Sequence, residues 1–151
     1  MSSQTIVLAT DHAGFELKEV VKQSLIKLNF EVKDFGAFEY DASDDYPDFI
    51  NPAAKFISEN QGVMGIIFGG SGQGEAMAAN RFKGVRAAVF YDGPDEIINL
   101  SRLHNNANVL SLGSRFINSD RAIELIERWL DVEFEGGRHQ KRIQKLDSHL
   151  L

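Results

Sequence analysis

The chain has 151 residues, 43% hydrophobic and 25% charged, and no cysteine. So apolar a composition excludes a disordered chain, and the missing thiols exclude disulfide scaffolds, Fe–S clusters, cysteine zinc sites and a cysteine nucleophile. Acidic residues outnumber basic ones 22 to 16, for a net charge of −6, the opposite balance to a general nucleic-acid or anionic-membrane binder.

The apolar runs are strand-sized rather than membrane-spanning, and Met1–Ser2–Ser3–Gln4 does not begin a basic-then-apolar leader. A single cytoplasmic domain over residues 1–151 is therefore expected. In chain order, Thr5–Ala9 is a β-branched run of strand length. Leu17, Val21, Leu25 and Leu28 share one face of a helix whose other positions carry Glu16, Lys18, Lys22 and Lys27. Phe30–Phe35 is a weaker second strand, and Glu39–Asp48, with Asp41, Asp44, Asp45 and Pro47, is a loop. Phe49, Ala53 and Ile57 repeat at helical spacing. Val63–Phe68 is a buried strand that stops in glycines, Ala76–Arg81 belongs to a helix, and Val85–Phe90 is a fourth strand. Ile97, Ile98 and Leu100 lie in a helix after Gly93–Pro94. Asn108–Leu112 is a fifth strand, and a following helix turns Ile123, Ile126 and Leu130 inward. Continuous apolar strands in βαβ order predict a three-layer α/β/α, Rossmann-like domain with a five-stranded parallel sheet. From about residue 136 the chain turns basic, with Arg138, His139, Lys141, Arg142 and Lys145. That tail is either a solvated helix or an anion site.

Ligands of open α/β sheets gather outside the carboxyl ends of the strands. Three loops meet that description: Asp11-His12-Ala13-Gly14, Gly69-Gly70-Ser71-Gly72-Gln73-Gly74-Glu75, and Gly113-Ser114-Arg115. The glycines of the second let backbone N–H groups converge on an anion or oxyanion. It is not a P-loop, because Glu75 follows Gly74 where lysine is required. Nor is it a dinucleotide fingerprint or a nucleophile elbow, since Glu75, Met77 and Gln73 stand where those motifs need glycine. Glu75 opens the next helix, whose dipole keeps a carboxylate ionised but weakens it as a base, so a working base there needs opposing desolvation. His104, near a helix C-terminus, suits either proton donation or capping. Taken alone, Asp11-His12 reads as a strand-end turn. The histidines at 12, 104, 139 and 149 show no ligand-pair spacing and lend metal binding little support.

Together the segments ATDHAGFELK, DYPDF, GGSGQGEAMAANRFKGVRAAV, LSRLHNNANVLSLGSR and FEGGRHQKRI run in order from residue 9 to residue 143. In this they resemble the ribose-5-phosphate isomerase B family, which includes galactose-6-phosphate isomerase subunits. The resemblance implies interconversion of ribose 5-phosphate and ribulose 5-phosphate with neither cofactor nor metal. Many members carry a catalytic cysteine where this chain has Gly69, so the chain is similar to the subgroup whose base is the glutamate of GGSGxGE, here Glu75. By resemblance Asp11 and His12 contact the sugar, His104 opens its ring, and Asn105 helps to hold it. Arg115, Arg138 and Arg142 bind phosphate, and Gly70-Ser71-Gly72-Gln73-Gly74 cradles the enediolate oxygens, with Ser71 and Asp11 counted among the catalytic groups. The stretch Tyr91–Asn99 is longer than usual in the family and bears on the lip beside His104. A hexose 6-phosphate (allose or galactose 6-phosphate) is the alternative substrate; a phosphate- or nucleotide-binding module without catalysis is the more distant one.

Chain direction adds a constraint. Glu75 follows strand three at the carboxyl pole, whereas the helix leading to His104 runs back from that pole by ~13 Å over nine residues. One copy then struggles to bring the two together. A homodimer with shared sites is expected, or a tetramer built from it, with a sugar phosphate as ligand and neither nucleic acid nor membrane as partner. Which copy supplies Arg138 and Arg142 stays open.

Overall fold

The computed structural model describes residues 4–150, so residues 1–3, read above for a leader, lie outside it. Five parallel strands, β1 (Thr5–Thr10), β2 (Glu31–Asp34), β3 (Met64–Gly69), β4 (Ala87–Phe90) and β5 (Val109–Gly113), form one sheet in the order β2-β1-β3-β5-β4. The inner strands bury nearly every residue, as their continuous apolar runs require, while β2 and β4 form half-exposed edges. Alternate β1 side chains serve two cores, Ile6 and Leu8 on one face and Val7 and Ala9 on the other.

Helices α1 (Phe15–Lys27), α4 (Asp95–Leu103) and α5 (Ser119–Asp131) pack on the first face. Helices α2 (Pro47–Glu59) and α3 (Gln73–Ala79) cover the second, and α6 (Arg138–Gln144) follows α5. The three layers and the parallel sheet are those expected from the sequence.

Local expectations change at several points; α3 ends at Ala79, so Asn80 and Arg81 lie in the turn after it. Leu28 is the residue after α1 and is 46% exposed, because the helix ends before that turn can face the sheet. Pro47 and Asp48 are not loop but the first turn of α2, where a fixed proline φ and an acidic side chain both suit a helix start. The buried face of α5 is Ala122, Leu125, Ile126 and Trp129, with Ile123 and Leu130 at its margin. Trp129 claims the centre and gives its indole N–H to Ser101 Oγ at 3.2 Å, which rotates the helix from the face that the aliphatic residues alone suggest. Among the described residues no helix is long and apolar enough to cross a membrane.

Candidate active site

The chain leaves β1 for one edge, β2, and returns to β3 on the other side of β1. A crevice therefore opens beyond the carboxyl ends of β1 and β3. Asp11 stands on its β1 side, 7% exposed, and its carboxylate accepts the Ala13 N–H at 3.0 Å to cap the 3-10 turn His12–Gly14. Asp44, in the loop before α2, accepts the His12 backbone N–H at 3.0 Å and lies 2.6 Å from the ring Nδ1. That hydrogen bond raises the His12 pKa, burial opposes it, and Asp11 and Asp41 add to the rise.

The glycine loop turns from β3 into α3 on the other side of the crevice. Gly72 sits at φ +80°, left-handed backbone that lets so tight a turn precede the helix. The N–H groups of Gly70, Ser71, Gly72 and Gly74 have no acceptor among the described residues; that of Gln73 is taken by Ser71 Oγ at 3.2 Å. Ser114 Oγ lies 2.8 Å from the carbonyl oxygens of both Gly69 and Ala13, its one O–H shared between them, and so ties the three loops together. The exposed guanidinium of Arg115 lies over Gly70.

Glu75, on the first turn of α3, is only 5% exposed. Its carboxylate occupies the space that a side chain at position 69 would need, so a Cβ on Gly69 would overlap it. Burial raises the Glu75 pKa, its own backbone N–H lowers it, and the charge of Asp11 raises it again, with a net rise. The desolvation that a helix-start glutamate needs in order to act as a base is present.

His104 lies elsewhere. It caps the C-terminus of α4, and the chain beyond it reaches Asn108, whose N–H bonds to the Arg86 carbonyl ahead of β4. This is the amino-terminal edge of the sheet, separated from the glycine loop by the length of β5, about 13 Å. The His104 ring stacks on that of His139, with centroids 4.2 Å apart and planes 14° apart, and Glu135 Oε2 lies 3.7 Å from its Nε2. A cavity of about 280 Å³ is lined by His104, Asn105, His139, Arg142, Ile143 and Leu146. The tail is thus a helix whose Arg142 shares a cavity with His104, while His139 is buried.

Among the described residues two groups of candidate metal ligands have their ligand atoms within 4.8 Å of one another, His104–Glu135–His139 and Asp11–His12–Asp44. Neither has the geometry of a metal centre. Parallel stacked imidazoles cannot aim in-plane lone pairs at one ion, and His12 Nδ1 is already committed to Asp44. Sequence reasoning singled out neither Asp44 nor His139. Both sit in segments it had flagged, but only folding shows which side chain each one touches.

A family model described as Ribose/Galactose Isomerase matches residues 6–146. The chain belongs to this isomerase family. It is 42% identical over 145 residues to a probable ribose-5-phosphate isomerase B of Mycoplasma genitalium, covering 95% of this chain and 94% of that one. To the ribose-5-phosphate isomerase B of Mycobacterium tuberculosis it is 37% identical over 150 residues, 99% and 91% of the two chains. The crystal structure of the Mycoplasma genitalium enzyme with bound ribulose-5-phosphate matches with a TM-score of 0.93 at 41% identity, covering 99% of this chain and 97% of that one. The isomerase-family fold thus extends over nearly the whole chain, crevice and basic tail included.

Proposed function

We propose that the protein is a cytoplasmic aldose–ketose isomerase that interconverts ribose 5-phosphate and ribulose 5-phosphate through an enediolate. It acts as a single domain and as a homodimer with shared active sites. The observation that carries this reading is Glu75: a carboxylate buried in a strand-end crevice, its pKa raised by burial and by Asp11. The similarity to a chain crystallised with ribulose-5-phosphate supports the choice of substrate.

Reaction begins with the furanose. His104 of one copy protonates the ring oxygen as the bond from carbon 1 to that oxygen breaks and the anomeric hydroxyl releases its proton to water, which frees the aldehyde. Glu75 of the other copy then takes the proton from carbon 2 and returns it to carbon 1, while the hydroxyl proton on O2 passes to O1, leaving the ketone at carbon 2. Negative charge on the enediolate oxygens is met by the free N–H groups of the glycine loop and by the Ser71 hydroxyl. Loss of one such donor typically costs ~3–4 kcal/mol of barrier. Asp11, His12 and Asn105 hold the sugar, and the guanidinium groups of Arg115, Arg138 and Arg142 grip the phosphate bidentately. Arg142 shares its cavity with His104, which supports the arrival of the α6 arginines together with His104 from a second copy. No step calls for a cofactor or a metal ion.

The test is turnover of ribose 5-phosphate by native protein and by Glu75→Gln. Native turnover with a loss of ~10²–10⁴-fold in the variant is expected. Near-native turnover by the variant would remove Glu75 as the base. Turnover of hexose 6-phosphates in preference to ribose 5-phosphate would move the assignment to the larger sugar.

A further inference from the structure

Asp44 takes no part in the chemistry above, yet its carboxylate lies only 2.6 Å from His12 Nδ1. The same oxygen, Oδ1, accepts the His12 backbone N–H at 3.0 Å, so one carboxylate grips both the main chain and the ring of a single residue. Its own backbone is anchored by an N–H donated to the Asp41 carbonyl at 3.0 Å. The second oxygen, Oδ2, is buried and has no hydrogen-bond partner among the described residues. A buried carboxylate left half-satisfied is costly unless a donor or cation compensates it, and the His12 ring is the group in contact with it.

We propose that Asp44 is a positioning residue for His12: it accepts the Nδ1–H, fixes the ring, and favours the imidazolium, whose Nε2–H is then the donor offered to the anionic sugar phosphate. The imidazole has two nitrogens, and a hydrogen bond at one decides the state of the other. With Nδ1–H bound to Asp44, Nε2 is the remaining edge of a ring whose side chain is 28% exposed. The groups that face this ring are Asp11 at the end of β1, Asp41 and Asp44 in the loop before α2, and the Tyr40 ring, edge-on at 5.9 Å. The three carboxylates favour the charged imidazolium, with the Asp44 hydrogen bond the largest influence and burial opposing it. The crevice thereby gains a cation on its β1 side, suited to an anionic substrate.

This inference rests on the reading that His12 contacts the substrate, and the experiment separates the two. Protein labelled with ¹⁵N-histidine is titrated by NMR as native, Asp44→Asn and Asp44→Ala, with His12→Gln to assign the signal. KM and kcat for ribose 5-phosphate are measured across the same pH range. In native protein His12 should hold its proton on Nδ1 and titrate above an ordinary histidine, and KM should rise as pH passes upward through that midpoint. Asp44→Asn, which can still accept from Nδ1–H but carries no charge, should keep the tautomer and lower the midpoint. Asp44→Ala should lose both, with KM raised several-fold and by more than kcat falls. An unchanged tautomer and midpoint in Asp44→Ala would overturn the proposal. So would an altered His12 signal with KM unchanged, because the coupling would then serve no substrate. Absence of turnover by native protein would instead sink the functional reading, while the NMR titration still judges the contact.

Discussion

The crevice around Glu75 and the patch around His104 are built in opposite ways. In the crevice the reactive groups are buried and held by backbone: Glu75 is 5% exposed, Asp11 is 7% exposed and caps a turn, and Ser114 ties the loops together. At the other edge of the sheet His104 is 37% exposed, held by a ring stack and a 3.7 Å contact, with Asn105, Arg138 and Arg142 exposed around it. Burial gives the first region a carboxyl with a raised pKa; exposure leaves the second free to meet another surface. A proton-transfer base gains from desolvation, whereas a phosphate-gripping, ring-opening group must first reach the substrate. The contrast fits the proposed site divided between two copies.

Mixing breaks or sharpens that contrast most strongly. Glu75→Gln and His104→Ala should each be nearly inactive on ribose 5-phosphate. Mixed and allowed to exchange subunits, they should regain about a quarter of native turnover, because half the dimers would then hold one intact site. No recovery, with exchange verified by native mass spectrometry, would place both residues in one copy's site. Next in size is Gly69→Ala, whose Cβ displaces the Glu75 carboxylate. A misplacement of this kind should cost about 10²-fold in kcat, with the melting temperature reporting any loss of fold. In the exposed region, Arg142→Ala should raise KM about tenfold, the value of one charged hydrogen bond of ~1.5 kcal/mol, with little change in kcat. Unchanged KM would make α6 a solvated helix only.

The smallest effect is a displacement in pH. If Glu75 is the base proposed above it must be deprotonated to act, and activity should fall as pH drops through its pKa, which burial and then Asp11 raise. Asp11→Asn removes one of the raising influences, so the midpoint of the acid limb in kcat/KM should move down. A midpoint that stays or moves up would contradict the electrostatic coupling.

Much of the molecule is legible in the chain. The runs TIVLA, VMGIIF and NVLSL are apolar without alternation, and that pattern means strands covered on both faces. Loops at strand ends then fix which segments face the crevice, and the glycine loop with its glutamate follows from position alone. The absence of cysteine, with Gly69 at the position where many members of the isomerase family carry one, implies by resemblance a carboxylate base. Helix faces are less legible: α5 turns on Trp129, whose bulk and indole N–H outweigh the aliphatic pattern.

Tertiary structure alone decided three things, each a matter of distance rather than order. It brought Asp44 to His12 across 32 residues, laid His139 on His104 across 35, and set the Glu75 carboxylate in the gap left by Gly69. Composition, periodicity and motif spacing record which groups are present and which way each segment runs. They do not record which side chains share a desolvated space, and it is shared space that raises one carboxyl, fixes one imidazole and leaves another waiting at the surface.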